Sequence, residues 1–258
     1  MTASRFPVQI GSWKNQDSDW DIGILKDVLC NVIKQTISKC EFPGILLSGG
    51  VDSSILAIIA NSYRDIPCFT IGSSHNHPDV VASCKLADLY QFEHYVYIPP
   101  VAIIQRVKES NNFKFPGDEC VYIALQFASH FVSDVISGDG IDEQMGGYWW
   151  HANKCDDYAS TEKAFEHFWN VLESDHLSPM FESASSIGVN LWWPFLHEVI
   201  IDYINRIPLR DRVEGGVSKY IWKKLAASSG VPEYIIDRPK QGFIGALTEV
   251  QKVKRGRL

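Results

Sequence analysis

The fold of this chain is decided by the stretch Gly44-Ile-Leu-Leu-Ser-Gly-Gly-Val-Asp-Ser-Ser54. Residues 45–47 are apolar throughout, as in a short buried strand, and the apolar residues of 55–59 follow helical spacing. Between them, the chain has to change from strand to helix within a few residues that include two adjacent glycines. The stretch therefore predicts a strand, a tight turn and a helix, with polar groups concentrated in the turn.

The turn offers several groups that can hold a phosphate. Adjacent glycines let the backbone approach a ligand closely, and the following helix presents unpaired N–H groups to an anion. Serine hydroxyls add donors, and an aspartate can hold Mg²⁺. An ordinary strand-to-helix turn is the simpler alternative, because Ser, Gly and Asp are common there. The candidate residues are Ser48, Gly49, Gly50, Asp52, Ser53 and Ser54.

This turn lacks the lysine of the Gly-x-x-x-x-Gly-Lys-Ser/Thr loop, so it does not match the nucleotidases that transfer a γ-phosphate. It resembles the Ser-Gly-Gly-x-Asp-Ser loop (PP-loop) of the ATP pyrophosphatases. The resemblance implies that ATP is broken into AMP and pyrophosphate while a substrate is activated. These enzymes include asparagine, GMP, NAD and argininosuccinate synthetases, so the loop implies a superfamily and not a single reaction.

Composition is that of a soluble globular protein, with 258 residues, 45% hydrophobic and 21% charged. No apolar run reaches the ~18 residues of a membrane span. The N-terminus lacks the apolar core of a secretory signal, so we expect a cytoplasmic protein without a membrane partner. A net charge of −7 argues against a nucleic-acid partner, although the tail is locally basic.

The six cysteines are scattered, with no Cys-x-x-Cys pair, and are expected to be reduced. The eight histidines show no metal-ligand spacing on a helix. His75 and His77 form the closest pair, in a loop-like stretch, and are predicted to be surface residues.

Strands alternate with helices along the chain, which predicts a twisted parallel α/β sheet flanked by helices, with a helical C-terminal part. In such a sheet the ligand lies at the carboxyl ends of the strands. Strands are predicted at 45–47, 67–71, 95–98 and 134–137, and helices at 24–37, 79–90, 101–109, 121–131 and 164–172.

A second polar signature follows the strand at 134–137: Ser137-Gly-Asp-Gly-Ile-Asp-Glu-Gln-Met-Gly-Gly-Tyr148. Asp139, Asp142 and Glu143 crowd into five residues of it, which would repel one another unless a cation holds them or one is protonated. If this strand neighbours the first one, Asp142 can meet Asp52 across a shared Mg²⁺. The alternative is a solvated acidic turn.

The second signature looks like the Ser-Gly-Glu-Gly-x-Asp-Glu-x-x-x-Gly-Gly-Tyr motif of the asparagine synthetase family. The two loops in this order are characteristic of that family, which includes β-lactam synthetase and lasso peptide cyclases. The resemblance covers roughly residues 24–245. It implies an adenine nucleotide α-hydrolase-like fold and the cofactors ATP and Mg²⁺.

The same resemblance implies roles for further residues. It places adenine and ribose near Ile71, Ser137 and Gly138, and Asp139 occupies the position of the family's catalytic glutamate. The Lys-x-x-Leu-Arg-like helix makes Lys219 a candidate for contacting phosphates. The Arg-x-Lys-x-Gly-Phe-like segment makes Lys240 the cation that stabilises developing negative charge.

The segment 188–197 departs from the family pattern, in which it ends Arg-x-Pro-Phe-Leu-Asp. Trp192 stands where arginine is common, and His197 stands where aspartate is common. Losing a cation and an anion together suggests a replaced ion pair or a pocket for a different substrate. For Trp192 and Trp193 the simpler interpretation is packing in the core.

The sequence thus predicts an N-terminal extension (1–23), an asparagine synthetase-like ATP pyrophosphatase domain (24–250), a basic tail (251–258) and no glutaminase domain. The expected function is an AMP-forming amide ligase that activates a small-molecule or peptide carboxylate for attack by ammonia or an amine. A separate glutaminase or biosynthetic partner chain could supply the ammonia. Alternatives are an intramolecular cyclase, a tRNA-modifying or sulfur-inserting pyrophosphatase, and a non-catalytic nucleotide-binding scaffold.

Overall fold

Five parallel strands form the centre of the molecule in a computed structural model that describes residues 19–111, 113–152, 160–238 and 245–247. The sheet order is β3-β2-β1-β4-β5, and every neighbouring pair runs parallel. The strands are β1 (Pro43–Leu46), β2 (Cys68–Ile71), β3 (His94–Tyr97), β4 (Asp134–Ile136) and β5 (Asn190–Trp192).

Helices connect the strands and make up the described chain after β5. A π-helical segment, Glu173–Leu177, joins α8 to α9, and short 3₁₀ turns cover Pro194–Leu196 and Glu214–Gly216. The α-helices are α1 (Ile22–Lys39), α2 (Val51–Asn61), α3 (Pro78–Tyr90), α4 (Val101–Ser110), α5 (Asp118–Ala128), α6 (Ile141–Met145), α7 (Trp149–Ala152), α8 (Thr161–Leu172), α9 (Ser178–Ile187), α10 (Glu198–Ile204), α11 (Leu209–Arg212), α12 (Tyr220–Ser228) and α13 (Glu233–Ile236).

Strand β1 is the central strand, because the chain builds outward from it in two directions. Its Ile45 pairs in register with Cys68 of β2 and with Ile136 of β4. The chain passes from β1 to β2 and β3 on one side, then crosses to β4 and β5 on the other. Such a switch in strand order opens a crevice at the carboxyl ends of the strands, where parallel α/β sheets bind their ligands.

The alternation of side chains along β1 gives the sheet two apolar faces. Ile45 and Leu47 pack in the core formed with helices α1, α2, α10 and α12. Leu46 faces the other way and packs in the core formed with α5, α8 and α9. Both faces of the sheet are therefore covered, which explains why the strands read as continuous apolar runs.

The parallel sheet flanked by helices confirms the predicted architecture. The four predicted strands and five predicted helices are present, with ends that shift by one to three residues. The predictions did not include β5, which has only three residues and was read as part of a family motif. In the described part of the chain, no helix combines the length and hydropathy needed to span a membrane.

Three predictions about individual residues have different outcomes. His75 is exposed as predicted, but the prediction for His77 is wrong, since it is 2% exposed. Its Nδ1 accepts the N–H of Asp79 and so caps α3. The cysteines of the described residues are free thiols, as expected.

Both tryptophans of the departing segment pack against the core, Trp193 as a buried residue and Trp192 as a partly buried one. Trp193 is 3% exposed and belongs to the apolar core. Trp192 donates its indole N–H to Asp134 Oδ1 at 3.0 Å, at the start of β4. Burial acts to raise the pKa of Asp134, but hydrogen bonds from Trp192, Ser133 and Asn190 outweigh it and hold that pKa below its usual value.

Candidate functional site

The first loop follows β1 and enters α2 at the capping residue Gly50. The turn is possible because Gly49 takes a left-handed φ of +67°. A Cβ on Gly49 would lie 2.7 Å from the carbonyl oxygen of Asp79 and 2.9 Å from the amide nitrogen of Ser83. Only glycine therefore fits between the loop and α3.

Hydroxyl groups hold the loop in shape. Ser48 Oγ and Ser53 Oγ lie 3.0 Å apart, and the backbone N–H of Ser48 donates to Ser53 Oγ at 3.1 Å. Both residues, with Asp52, line the larger cavity described below. Ser54 points away from it, because its side chain is fully buried within the core side of α2. The structure thus brings Ser48, Asp52 and Ser53 together at the cavity and leaves Ser54 behind them.

The second loop follows β4 and touches the first. A Cβ on Gly138 would lie 3.4 Å from the carbonyl carbon of Asp52 and from the amide nitrogen of Ser53. The neighbouring Asp139 accepts a hydrogen bond from the Ser137 hydroxyl. Because β1 and β4 pair directly, the two signatures meet at one edge of the sheet, as the sequence predicted.

A lysine lies between the two candidate metal ligands. The Lys219 ammonium is 2.5 Å from Asp52 Oδ2 and 2.7 Å from Asp142 Oδ1. Burial acts to lower the pKa of Lys219, but the carboxylates of Asp142 and Asp52 outweigh it and raise that pKa. Asp52 also accepts the indole N–H of Trp222 at 2.8 Å. Asp52 and Asp142 thus lie close together, but the cation between them is Lys219, and their meeting across a shared Mg²⁺ stays a prediction.

This arrangement suits Mg²⁺ in donor chemistry. Two carboxylates that converge on one cation are hard oxygen ligands, which Mg²⁺ prefers when phosphate oxygens and water complete its shell. Among the described residues, no group of three or more His, Cys, Asp or Glu side chains could hold a metal without such help. Asp52 and Asp142 fit Mg²⁺ brought by a nucleotide, and the metal assignment stays a prediction.

The close packing of Asp142 against Lys219 requires a glycine at position 147. A Cβ on Gly147 would overlap the carboxylate of Asp142 and lie 2.6 Å from Lys219 Cε. Next to it, Tyr148 donates its hydroxyl to Glu143 Oε1 at 2.6 Å. Burial and then the charge of Asp142 raise the pKa of Glu143. Gly147 of the second signature therefore makes room for Asp142 and Lys219.

A cavity of about 700 Å³ opens over the carboxyl ends of β1, β2 and β4. Ile71, Ser137 and Gly138 line it together with the loop residues, and their assignment to adenosine stays a prediction. A smaller cavity of about 230 Å³ adjoins the start of α2, and its cationic lining residues are Lys219, Lys223 and Arg238. Lys240, the predicted catalytic cation, lies outside the described residues.

Sequence reasoning missed His176, which lines the larger cavity. Its Nε2 lies 2.6 Å from Asp139 Oδ1. Burial acts to lower the pKa of His176, but Asp139 outweighs it and raises that pKa to about 9. For Asp139, burial acts to raise the pKa, whereas His176 and the Ser137 hydroxyl bring it below the usual value. No sequence motif pointed to His176, which lies in the π-helical segment between α8 and α9.

The sheet order and the loop after β1 define a PP-loop ATP pyrophosphatase type of α/β domain, the predicted fold class. The asparagine synthase family model matches residues 25–173 and 170–255, so the chain belongs to this family, as its motifs predicted.

Curated relatives agree with this assignment. The glutamine-hydrolyzing asparagine synthetase of Gallus gallus is 27% identical over 246 residues, which are 86% of this chain and 43% of the relative. The human enzyme of the same name is 27% identical over 251 residues, 88% of this chain and 44% of the relative. The chain thus spans less than half the length of these curated relatives. Among solved structures, NMN synthetase from Francisella tularensis aligns with a TM-score of 0.41 and 15% identity, covering 82% of this chain and 95% of that chain.

Proposed function

We propose that this chain is an ATP-dependent ligase that forms an amide through an acyl-adenylate. A substrate carboxylate oxygen attacks the α-phosphorus of ATP, the bond to the β-phosphate oxygen breaks, and pyrophosphate leaves. An amine nitrogen then attacks the acyl carbon, AMP leaves with the bonding electron pair, and the nitrogen loses a proton. Membership of the asparagine synthase family supports this reaction class.

The observation that carries the proposal is the meeting of the two loops at the switch point of the sheet. Ser48 and Ser53 offer hydroxyls to phosphates at the N-terminus of α2, where backbone N–H groups also favour an anion. The larger cavity has the volume of an ordinary ligand site, and adenosine would lie against Ile71 and Gly138 of its lining. ATP would therefore place its reacting phosphate between the two signatures.

Electrostatics would then favour loss of pyrophosphate. Lys223 lines the smaller cavity beside the start of α2, next to Lys219 and Arg238, which pair with carboxylates there. Lys223 would therefore offer its charge to a departing anion. Asp52 and Asp142 would hold Mg²⁺, which supplies charge neutralisation to the phosphates when bound. For the second step, the family resemblance assigns Asp139, in the position of the catalytic glutamate, to orienting or deprotonating the amine. The family resemblance makes Lys240 the cation that stabilises the negative charge developing at the acyl group. Residues 24–250 would form the domain that carries out this chemistry.

The proposal is tested by carboxylate-dependent exchange of labelled pyrophosphate into ATP, with Mg²⁺ and a panel of carboxylates. Exchange with one acid establishes adenylation and identifies that acid. We expect Asp52→Asn to reduce the exchange by about 100-fold or more, as for other groups that stabilise developing charge. Asp65→Asn, at an exposed position at the end of the α2 region, is the matched control and should retain full activity.

The products then distinguish the alternatives. AMP and an amide that forms only with added ammonium support an ammonia-dependent ligase, whereas a product that cyclises without ammonium supports the intramolecular cyclase. Formation of ADP and phosphate would contradict the proposal. Family members that match this chain bear the name asparagine synthetase, which favours ammonia or an amine as the nucleophile.

A further inference from the structure

His176 is held at the cavity by an irregular piece of helix. The π-helical segment Glu173–Leu177 inserts between α8 and α9, and such segments are frequent at functional sites. The extra width of the turn carries His176 towards Asp139, and its Nε2 lies 2.6 Å from Asp139 Oδ1. The imidazole side chain is 39% exposed at the cavity. A group that substrate can reach therefore stands in front of Asp139.

Asp139 itself is poorly placed to accept a proton from substrate. Oδ1 contacts His176, and Oδ2 accepts the Ser137 hydroxyl, so both of its oxygens are engaged. These contacts favour the ionised form and hold the pKa of Asp139 below its usual value. An aspartate is also one methylene shorter than the glutamate of the family motif. Asp139 is thus suited to orienting a neighbour.

The other ring nitrogen of His176 is available. No described residue donates to or accepts from its Nδ1. When Nε2–H donates to Asp139, the neutral ring carries its lone pair on Nδ1, which makes that atom the basic one. The Ser137–Asp139–His176 chain therefore fixes both the orientation of the ring and its tautomer.

We propose, on the basis of the function above, that His176 is the general base of the amide-forming step and that Asp139 is its positioning residue. As the amine nitrogen bonds to the acyl carbon and the bond to AMP breaks, one proton passes from that nitrogen to Nδ1. It then passes to solvent, which restores the neutral ring. Adenylation releases no proton from an amine and does not use His176.

The charged surroundings of the ring fit this role. Asp139, Asp142, Glu143 and Asp175 all line the same cavity, together with the hydroxyl of Tyr148. The negative charges of Asp139, Glu143 and Asp142 outweigh burial and raise the pKa of His176 to about 9. They also favour the imidazolium that forms after the proton is taken. Amide formation should therefore increase with pH up to about 9 in a way that depends on this residue.

The test compares two nucleophiles in the variant His176→Gln, whose amide can still donate to Asp139 but cannot act as a base. Hydroxylamine is largely uncharged at neutral pH and attacks an acyl-adenylate without a base. With the acid identified by exchange, we measure pyrophosphate exchange, hydroxamate formation and formation of the amide, either with ammonium or with the substrate's own amine. His130→Gln is the matched control, because this histidine is exposed and lines neither cavity.

The expected result is that His176→Gln impairs amide formation but not the other two activities. His176→Gln should retain exchange and hydroxamate formation within about threefold and lose amide formation by about 100-fold or more. At a fixed concentration of the unprotonated amine, the pH dependence of amide formation should flatten in His176→Gln. Equal loss of all three activities would overturn the inference, because it would assign His176 a structural role, and so would full retention of all three. Wild-type protein that adenylates no acid would instead overturn the proposed function and this inference with it.

Discussion

The ammonium of Lys219 lies 2.5 Å from Asp52 Oδ2, which joins the start of α12 to the first loop. The same nitrogen is 2.7 Å from Asp142 Oδ1 in the second loop. Lys219 takes a left-handed φ of 56°, unusual for a residue with a side chain and often associated with function. A single buried cation thus holds together the two carboxylates that we assign to Mg²⁺.

Replacement of this lysine should make the fold depend on a divalent cation. In Lys219→Met, Asp52 and Asp142 lose the ammonium that they share, and loss of one member of a buried ion pair costs about 3–5 kcal/mol. Added Mg²⁺ can bind between the carboxylates and should recover part of this free energy of unfolding. The measurement is urea unfolding with and without MgCl₂.

A nearby lysine gives the control for that experiment. Lys223 lines the smaller cavity one helical turn further along α12 and forms no ion pair with either carboxylate. Lys223→Met should change the free energy of unfolding by less than about 0.5 kcal/mol. If Mg²⁺ stabilised Lys219→Met no more than wild type or this control, the two carboxylates would not be the metal site.

Gly147 is expected to tolerate no side chain. In Gly147→Ala the new methyl overlaps Asp142 and approaches Lys219 Cε to 2.6 Å, and neither buried group can move without breaking an ion pair. Overpacking of this kind costs about 1–3 kcal/mol and should displace Asp142. We expect pyrophosphate exchange to fall about tenfold or more, because positioning errors near the reacting groups are costly.

Gly188→Ala is the control for Gly147→Ala, because it introduces backbone strain without a steric clash. Gly188 has a left-handed φ of +84°, but a Cβ there meets no atom within 4 Å. This variant should lose about 1–2 kcal/mol of stability from backbone strain and retain its exchange activity. Retention of full activity by Gly147→Ala would show that Asp142 can shift without consequence.

The local part of the site could be predicted from the sequence, because each loop carries its own pattern. Strand, glycine turn and helix follow one another in β1–α2, and the alternation of elements fixed β1 and β4 in one parallel sheet. From these, the approach of Asp52 and Asp142 could be inferred. The glycines were read as turn formers, which is correct for Gly49.

The remaining part depends on contacts between distant elements. Lys219 was assigned to phosphates, but its position between two carboxylates results from how α12 packs on the sheet. His176 has no motif, because its role depends on the π-helical segment between α8 and α9 meeting Asp139 of the second loop. The hydrogen bond from Trp192 to Asp134 requires the pairing of β5 with β4, and β5 was not predicted.

The indole of Trp192 should stabilise the sheet through Asp134. Trp192→Phe removes the N–H that lies 3.0 Å from Asp134 Oδ1 and keeps most of the aromatic packing. A buried carboxylate that loses one charge-assisted hydrogen bond costs about 1–3 kcal/mol. Trp150→Phe, on a more exposed ring, should cost less than about 0.5 kcal/mol. Thermal unfolding of both variants is the measurement, and equal midpoints would contradict this role for Trp192.

The pH dependence of that loss has a defined sign. The pKa of Asp134 is depressed in the fold, so its hydrogen bonds contribute stability above the pKa of the unfolded carboxyl. The contribution disappears as pH falls through the depressed value. The difference between wild type and Trp192→Phe should therefore be constant near neutral pH and shrink in acid.

The contact between His176 and Asp139 should stabilise the fold in a pH window of the opposite kind. The pKa of His176 rises from 6.5 to about 9 on folding. Below 6.5 the ring is protonated in both folded and unfolded chains, so the ion pair contributes fully, and this contribution is lost as pH rises through about 9. Because the ring is partly exposed, the contribution should be about 0.5–1 kcal/mol.

Urea unfolding of wild type and His176→Gln at about pH 6 and about pH 10 measures this contribution, with a larger difference in the free energy of unfolding expected at the lower pH. His130→Gln, whose ring hydrogen-bonds the Gln126 carbonyl and forms no ion pair within the described residues, is the control and should show no such change between the two pH values. A difference that grew with pH would contradict the ion pair, because a neutral ring would then be the form that the fold prefers.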